Sequence, residues 1–233
     1  MRLKDRVAVV TGSGGPMGRA IAAKLVAEGA KVVVNDISAN RLNQAVEMLR
    51  EQGGEVVGIR GNVVIREEAT AVIGAALEQF GGIDILVNVV GGIRGALHTP
   101  LLEISEADWD FVMALNLRGG LNCTQLAVPH MLGKQYGKIV NISSVVAPQG
   151  APGQAHYSAA KAGVIAFTKS AAREFAPHVN VNCILPGLIQ TSVMDRMPAD
   201  LRAHVRYPED MLNVQAAMYS TYHMQDPQVF YNR

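Results

Sequence analysis

Directly after a β-branched run, the stretch TGSGGPMG (11–18) turns sharply and opens a helical pattern. Glycines let a backbone approach a pyrophosphate, and the amides at the helix N-terminus stabilise its charge. Gly12, Ser13, Gly14, Gly15, Met17 and Gly18 are therefore candidate phosphate contacts. Asp36 ends the second strand pattern, and a carboxylate there accepts from both ribose hydroxyls and repels a 2′-phosphate. Ile37, rather than an arginine, follows it, which favours NAD over NADP. A second group lies further on. HYSAAKAG sets Tyr157 and Lys161 four residues apart, on one face of a helix, with Ser144 upstream at the end of KIVNISS. YxxxK alone is common on surface helices; following a strand that ends in NISS it is far more specific.

The elements that must position these groups alternate along the chain. Strand patterns occur at 7–11, 31–36, 55–60, 83–88, 138–143 and 179–185, and helical patterns at about 17–28, 39–52, 66–80, 105–132 and 157–175. Short apolar strands separated by helices predict an α/β, doubly wound parallel sheet of the Rossmann type, strand order 3-2-1-4-5-6. Polar or glycine residues close each strand, so the ligand crevice lies beyond their carboxyl ends. The 233 residues fit one domain with a substantial core. A formal charge of +1 with mixed signs gives no electrostatic case for nucleic acid. Cys123 and Cys183 lack a disulfide or metal spacing and read as buried thiols. The histidines show no metal-ligand spacing. No apolar run approaches a membrane span, and the charged amino end is no signal peptide, so a cytoplasmic location is expected.

With these motifs in order, residues 1 to about 195 resemble the short-chain dehydrogenase/reductase family, in particular 3-oxoacyl reductases. The matching pieces are the glycine turn, Asp36, Asn88 with Gly91, Asn116 in ALNLRG, Ser144, YSAAK and PGLIQT. The resemblance implies an NAD(P)-dependent oxidoreductase that interconverts a carbonyl and a secondary alcohol. Tyr157 becomes the general acid or base and Lys161 the charge that favours its phenolate and meets the nicotinamide ribose. Ser144 holds the substrate oxygen, and Asn116 anchors a water leading from the lysine, in a helix locally distorted there. Asn62, with Val63 beside it, takes the adenine; Asn88 and Gly91 line the adenosine ribose; Pro186, Gly187, Ile189 and Thr191 hold the carboxamide. A small carbonyl or alcohol substrate of apolar or amphipathic character is implied by the apolar stretches near Val145, Val146 and 188–197. The resemblance also implies a homo-oligomer, dimer or tetramer.

The sequence departs from the family at Pro16, which is compatible with the first turn of a helix, at Val89–Val90 and at Asn62. The larger departure is the segment 196–233, which reads as an atypical lid, helix or chimeric tail and is similar to part of an uncharacterised bacterial membrane protein family. Met211, Val214, Met218 and Tyr222 give it a helical stripe, and no glycine-rich seventh strand is visible. An open edge on the strand at 179–185 would weigh against the tetramer. That end also motivates the alternative of a nucleotide-binding module with impaired or no catalysis.

Overall fold

In the computed structural model, residues 1–93, 97–187, 189 and 217–219 are described. Strands β1 (Val7–Val10), β2 (Lys31–Asp36), β3 (Val56–Arg60), β4 (Ile85–Asn88), β5 (Gly137–Ile142) and β6 (Val179–Leu185) pair in parallel in the order β3-β2-β1-β4-β5-β6. The β1 burial is complete along all of VAVV because helices cover both faces. Helices α1 (Pro16–Ala27) and α2 (Ala39–Glu51) pack on one face around Val10, Val32, Val34, Leu42 and Leu49. The other face carries α3 (Arg66–Phe80), α5 (Gly119–Gly133) and α7 (Ala155–Glu174), around Val9, Ile73, Leu86, Met131 and Val181.

The long pattern at 105–132 is one continuous rod with a flaw in it. Ser105 caps α4 (Glu106–Met113) by accepting from the Asp108 amide at 3.1 Å. A π-helical turn, Ala114–Arg118, then leads into α5. The distortion expected around Asn116 is therefore present, and Asn116 lies at its centre. Between β5 and α7 sits the short α6 (Val146–Gln149). Pro16 is the first residue of α1, where its missing N–H removes no helical bond.

The expected absence of a seventh strand needs correction. A short β7 (Ala217–Tyr219) runs antiparallel to β6, with Cys183 opposite Tyr219 and Leu185 opposite Ala217. The edge of β6 offers unpaired amides and carbonyls, and this tail segment supplies partners for them. The same three residues fall in the stretch read as helical; pairing with a sheet edge overrides that local periodicity. Residues 196–216 and 220–233, and with them most of the proposed second segment, lie outside the described residues.

At the opposite end from the site, Asp84 ties β1, β4 and β5 together. It accepts from the Val7 amide at 2.9 Å, Lys134 at 2.6 Å and Arg6 at 3.3 Å. Burial pushes its carboxyl up, but these partners outweigh burial and hold it below the usual range.

Candidate active site

The nucleotide half is shaped by close approach. Gly12 adopts φ +64°, a left-handed conformation that suits glycine, and faces the Val90 amide. A Cβ on Gly14 would lie 2.6 Å from Asp36 Oδ2 and 2.7 Å from Arg41 Cβ; one on Gly18 would meet the Gly12 carbonyl carbon at 2.8 Å. Only glycine lets β1, the turn and α1 pack this tightly. Within the turn, Ser13 Oγ donates to the Val10 carbonyl at 2.6 Å and its amide to the Asn35 carbonyl at 2.8 Å, so this buried serine braces the loop from below. The amides of Met17 and Gly18 in the first turn of α1 have no intrahelical acceptor, the arrangement that suits an anion.

Asp36 is buried at the end of β2. Its Oδ2 accepts from the Gly14 amide at 3.1 Å; its Oδ1 accepts from the Ser38 amide at 2.8 Å and from Arg41 Nη2 at 3.2 Å. Arg41, in the first turn of α2 and half-exposed, is a residue that sequence reading missed. The absence of an arginine directly after Asp36 hid one brought back by the turn of the helix. Asn62, the residue expected to take the adenine, already accepts from the Val64 amide at its Oδ1, at 3.1 Å. Val63 is buried, and Asn122 of α5 donates to the Val63 carbonyl at 2.9 Å and to that of Val64 at 3.1 Å. The Thr11 hydroxyl accepts from the Val89 amide at 3.0 Å and from that of Val90 at 3.4 Å, fixing the loop that replaces the usual small residues.

Asn116 does not use its side chain for solvent. Nδ2 donates to the Gly92 carbonyl and to the Val112 carbonyl, each at 2.8 Å, and Oδ1 accepts from the Gly92 amide at 3.0 Å. The widened turn frees a carbonyl, and the carboxamide takes it while clamping the loop after β4. Gly91 makes room for this: a Cβ there would lie 2.6 Å from Asn116 Oδ1 and 2.7 Å from Lys161 Nζ. Asn88 is buried at the end of β4, where Nδ2 donates to Asn141 Oδ1 at 2.9 Å and Oδ1 has no partner among the described residues.

Three side chains expected to act together do meet. Ser144 lies close enough to Tyr157 to pull its pKa down, and Lys161 Nζ stands 5.6 Å from the centre of the Tyr157 ring. Lys161 is buried, with its ammonium donating to the Ile142 carbonyl at 2.9 Å. Burial lowers its pKa to about 8, against a smaller opposing pull from Cys183. Tyr157 is shifted the other way from the phenolate-favouring expectation: burial raises it, and Ser144 only partly offsets that. His156, at the start of α7, is buried, and its Nδ1 has no partner among the described residues.

Beyond β6, the Pro186 carbonyl accepts from the Val145 amide at 3.1 Å, placing the end of β6 beside the turn after Ser144. Gly187 is exposed with open space about it, and Ile189 is half-buried. Thr191 lies outside the described residues. Both cysteines are free and buried, and among the described residues no cluster could hold a metal ion. None of the described helices is long and apolar enough to cross a membrane.

A family model for short chain dehydrogenases matches residues 6–202. The chain belongs to the short-chain dehydrogenase family. Membership makes it a pyridine-nucleotide oxidoreductase at the level of class. It is similar to a 3-oxoacyl-[acyl-carrier-protein] reductase of Thermotoga maritima, 39% identical over 87% of this chain and 81% of the relative. The corresponding Staphylococcus aureus enzyme is 42% identical over 84% and 79%. A (2S)-[(R)-hydroxy(phenyl)methyl]succinyl-CoA dehydrogenase subunit of Thauera aromatica is 40% identical over 85% and 79%. Among solved structures, an NAD+-bound xylitol dehydrogenase superposes with a TM-score of 0.77 at 31% identity, covering 80% of this chain and 72% of the other. A second model, of an uncharacterised protein family, matches residues 181–233, in line with the separate character of the tail.

Proposed function

We propose that the chain is an NAD(P)-dependent oxidoreductase that interconverts a carbonyl and a secondary alcohol, with 3-oxoacyl thioesters as the substrate class. The observation that carries this reading is the convergence of Ser144, Tyr157 and the buried Lys161 at the end of β5, beside a loop whose Gly91 leaves no room for a side chain. The thioester class rests on the relatives, which are named for reactions at 3-oxoacyl-carrier and hydroxyacyl-CoA groups.

The residues fit a dinucleotide: glycines where a Cβ would clash, first-turn amides for its phosphates, and a buried carboxylate for its ribose. The nicotinamide, when bound, supplies or receives the hydride at the reacting carbon. Ser144 holds the substrate oxygen against Tyr157. In reduction the phenol gives its proton to that oxygen as the C=O becomes C–OH; in oxidation it takes the proton back. Burial raises Tyr157, so the phenol is protonated at neutral pH and can donate to the substrate oxygen in reduction. Lys161, shifted close to neutrality, restores the charge balance beside it.

NAD is the preferred cofactor on this reading, because Asp36 presents a buried carboxylate where a 2′-phosphate would sit. Arg41 shares that carboxylate and narrows the preference. NADH is expected to bind more tightly than NADPH, and Asp36→Asn to reduce the gap; tighter NADPH binding by the unaltered protein contradicts the preference. The function itself is tested by cofactor oxidation in the presence of 3-oxoacyl thioesters, simple ketones and the matching alcohols. Turnover of the thioesters is expected. Tight cofactor binding with no turnover across the whole set would leave only a nucleotide-binding module.

A further inference from the structure

From Asn141 to Ser144, β5 and the turn after it hand successive polar contacts to α7. Asn141 Nδ2 donates to Thr168 Oγ1 at 3.0 Å. The Ile142 carbonyl accepts from Lys161 Nζ at 2.9 Å, and Ser143 Oγ donates to the Lys161 carbonyl at 2.7 Å. Ser144 reaches Tyr157. The strand climbs towards the site and the helix descends from it, so the rungs fall on 168, 161, 161 and 157. Asn141 and Thr168 make the deepest rung, at 2% and 1% exposure.

The deepest rung is anchored on both sides. Asn141 lies opposite Asn88 in the β4–β5 register and accepts from its Nδ2 at 2.9 Å. Thr168 Oγ1 donates to the Val164 carbonyl at 2.7 Å. Around the rung the seam is apolar, lined by Val164, Leu185, Ile139 and Ala171. Apolar contact is non-directional and permits a helix to settle at more than one height, whereas a hydrogen bond between two buried side chains is satisfied at one. A helix rises about 1.5 Å per residue. A slip of that size would take the Tyr157 hydroxyl out of register with Ser144. An apolar pair of the same shape would hold the layers together comparably well, so stability alone does not account for a carboxamide and a hydroxyl here.

We propose that Asn141 and Thr168 are positioning residues: their hydrogen bond fixes the height of α7 along β5 and thereby sets Tyr157 and Lys161 against Ser144. The inference rests on the reading of Tyr157 as the proton donor. Thr168→Val keeps the shape and removes the hydroxyl; Thr168→Ser keeps the hydroxyl. The valine variant is expected to lose about 10- to 100-fold in kcat, the range in which small misplacements act, with the KM for cofactor nearly unchanged and the pH profile of kcat displaced. The serine variant is expected to recover most of the loss in kcat and the original profile. Asn141→Ser, which shortens the rung from the strand side, should reproduce the split between kcat and KM.

A valine variant with unaltered kcat and pH profile, even at a lower melting temperature, overturns the proposal, as does failure of the serine variant to recover. If the unaltered protein turns over no carbonyl, the reading of Tyr157 falls separately. The positioning claim is then decided by the Lys161 titration in 15N-lysine-labelled full chain. Displacement in the valine variant and its return in the serine variant support the claim; an unmoved titration refutes it.

Discussion

The two halves of this molecule build their sites by opposite means. Around β1, α1 and β2 the site is made by leaving side chains out: Gly12, Gly14 and Gly18 let backbones approach one another. Around β5 and α7 it is made by putting side chains in, as a stack of buried donors and acceptors from Asn141–Thr168 up to Ser144–Tyr157. The first design tolerates no added volume. The second tolerates no lost polar atom, since each partner left behind would be buried and unpaired. Gly91 is where they touch, with Asn116 on one side and Lys161 on the other.

That contrast can be broken from either side. The largest effect is expected from Lys161→Met, which removes the charge beside Tyr157 and should lower turnover by about 10²- to 10⁴-fold, the usual span for a proton-transfer group. It has a stability signature as well. Lys161 titrates near 8 in the folded protein and near 10.5 unfolded, so between those values the unfolded chain binds more protons and stability rises with pH. The thiols work the other way, with Cys123 pushed up to about 12 by burial. The measurable quantity is therefore the stability of the unaltered protein minus that of Lys161→Met. Denaturant titrations should show this difference climbing by about 3 kcal/mol from pH 8 to pH 10.5; a flat difference would mean that the ammonium is not buried at a cost.

Gly91→Ala strikes both halves at once, because its Cβ would stand against Asn116 Oδ1 and Lys161 Nζ. A loss of about 100-fold in kcat/KM is expected, shared between cofactor binding and turnover. Gly14→Ala should be confined to the nucleotide half. Crowding Asp36 and Arg41 costs about 2 kcal/mol, or roughly thirtyfold in cofactor affinity, with kcat at saturating cofactor preserved. If Gly14→Ala lowers kcat and leaves affinity alone, the separation of the halves is wrong.

The same contrast explains what could be read from sequence. Glycine spacing and YSAAK announce themselves because each follows directly on the strand pattern that gives it its context. Strand ends and order followed from alternating patterns, and a local distortion, though not its π-helical form, from Asn116 set inside a long helical pattern. Arg41 was hidden because its tie to Asp36 depends on the turn between strand and helix. Asn141, Thr168 and Asn122 were hidden differently, since their partners come from distant elements. Their only local trace is a polar residue at a core-facing position. The raised Tyr157 was missed because burial is a property of the packed site, and β7 because edge pairing overrode a helical stripe.

The most direct measurement places Tyr157→Phe beside the unaltered protein, following NADH binding by fluorescence and 3-oxoacyl thioester reduction in the same samples. The expected result is binding within about twofold and turnover lower by about 10²- to 10⁴-fold. Turnover at the unaltered rate, or a loss of binding as large as the loss of turnover, would contradict the assignment of proton transfer to Tyr157.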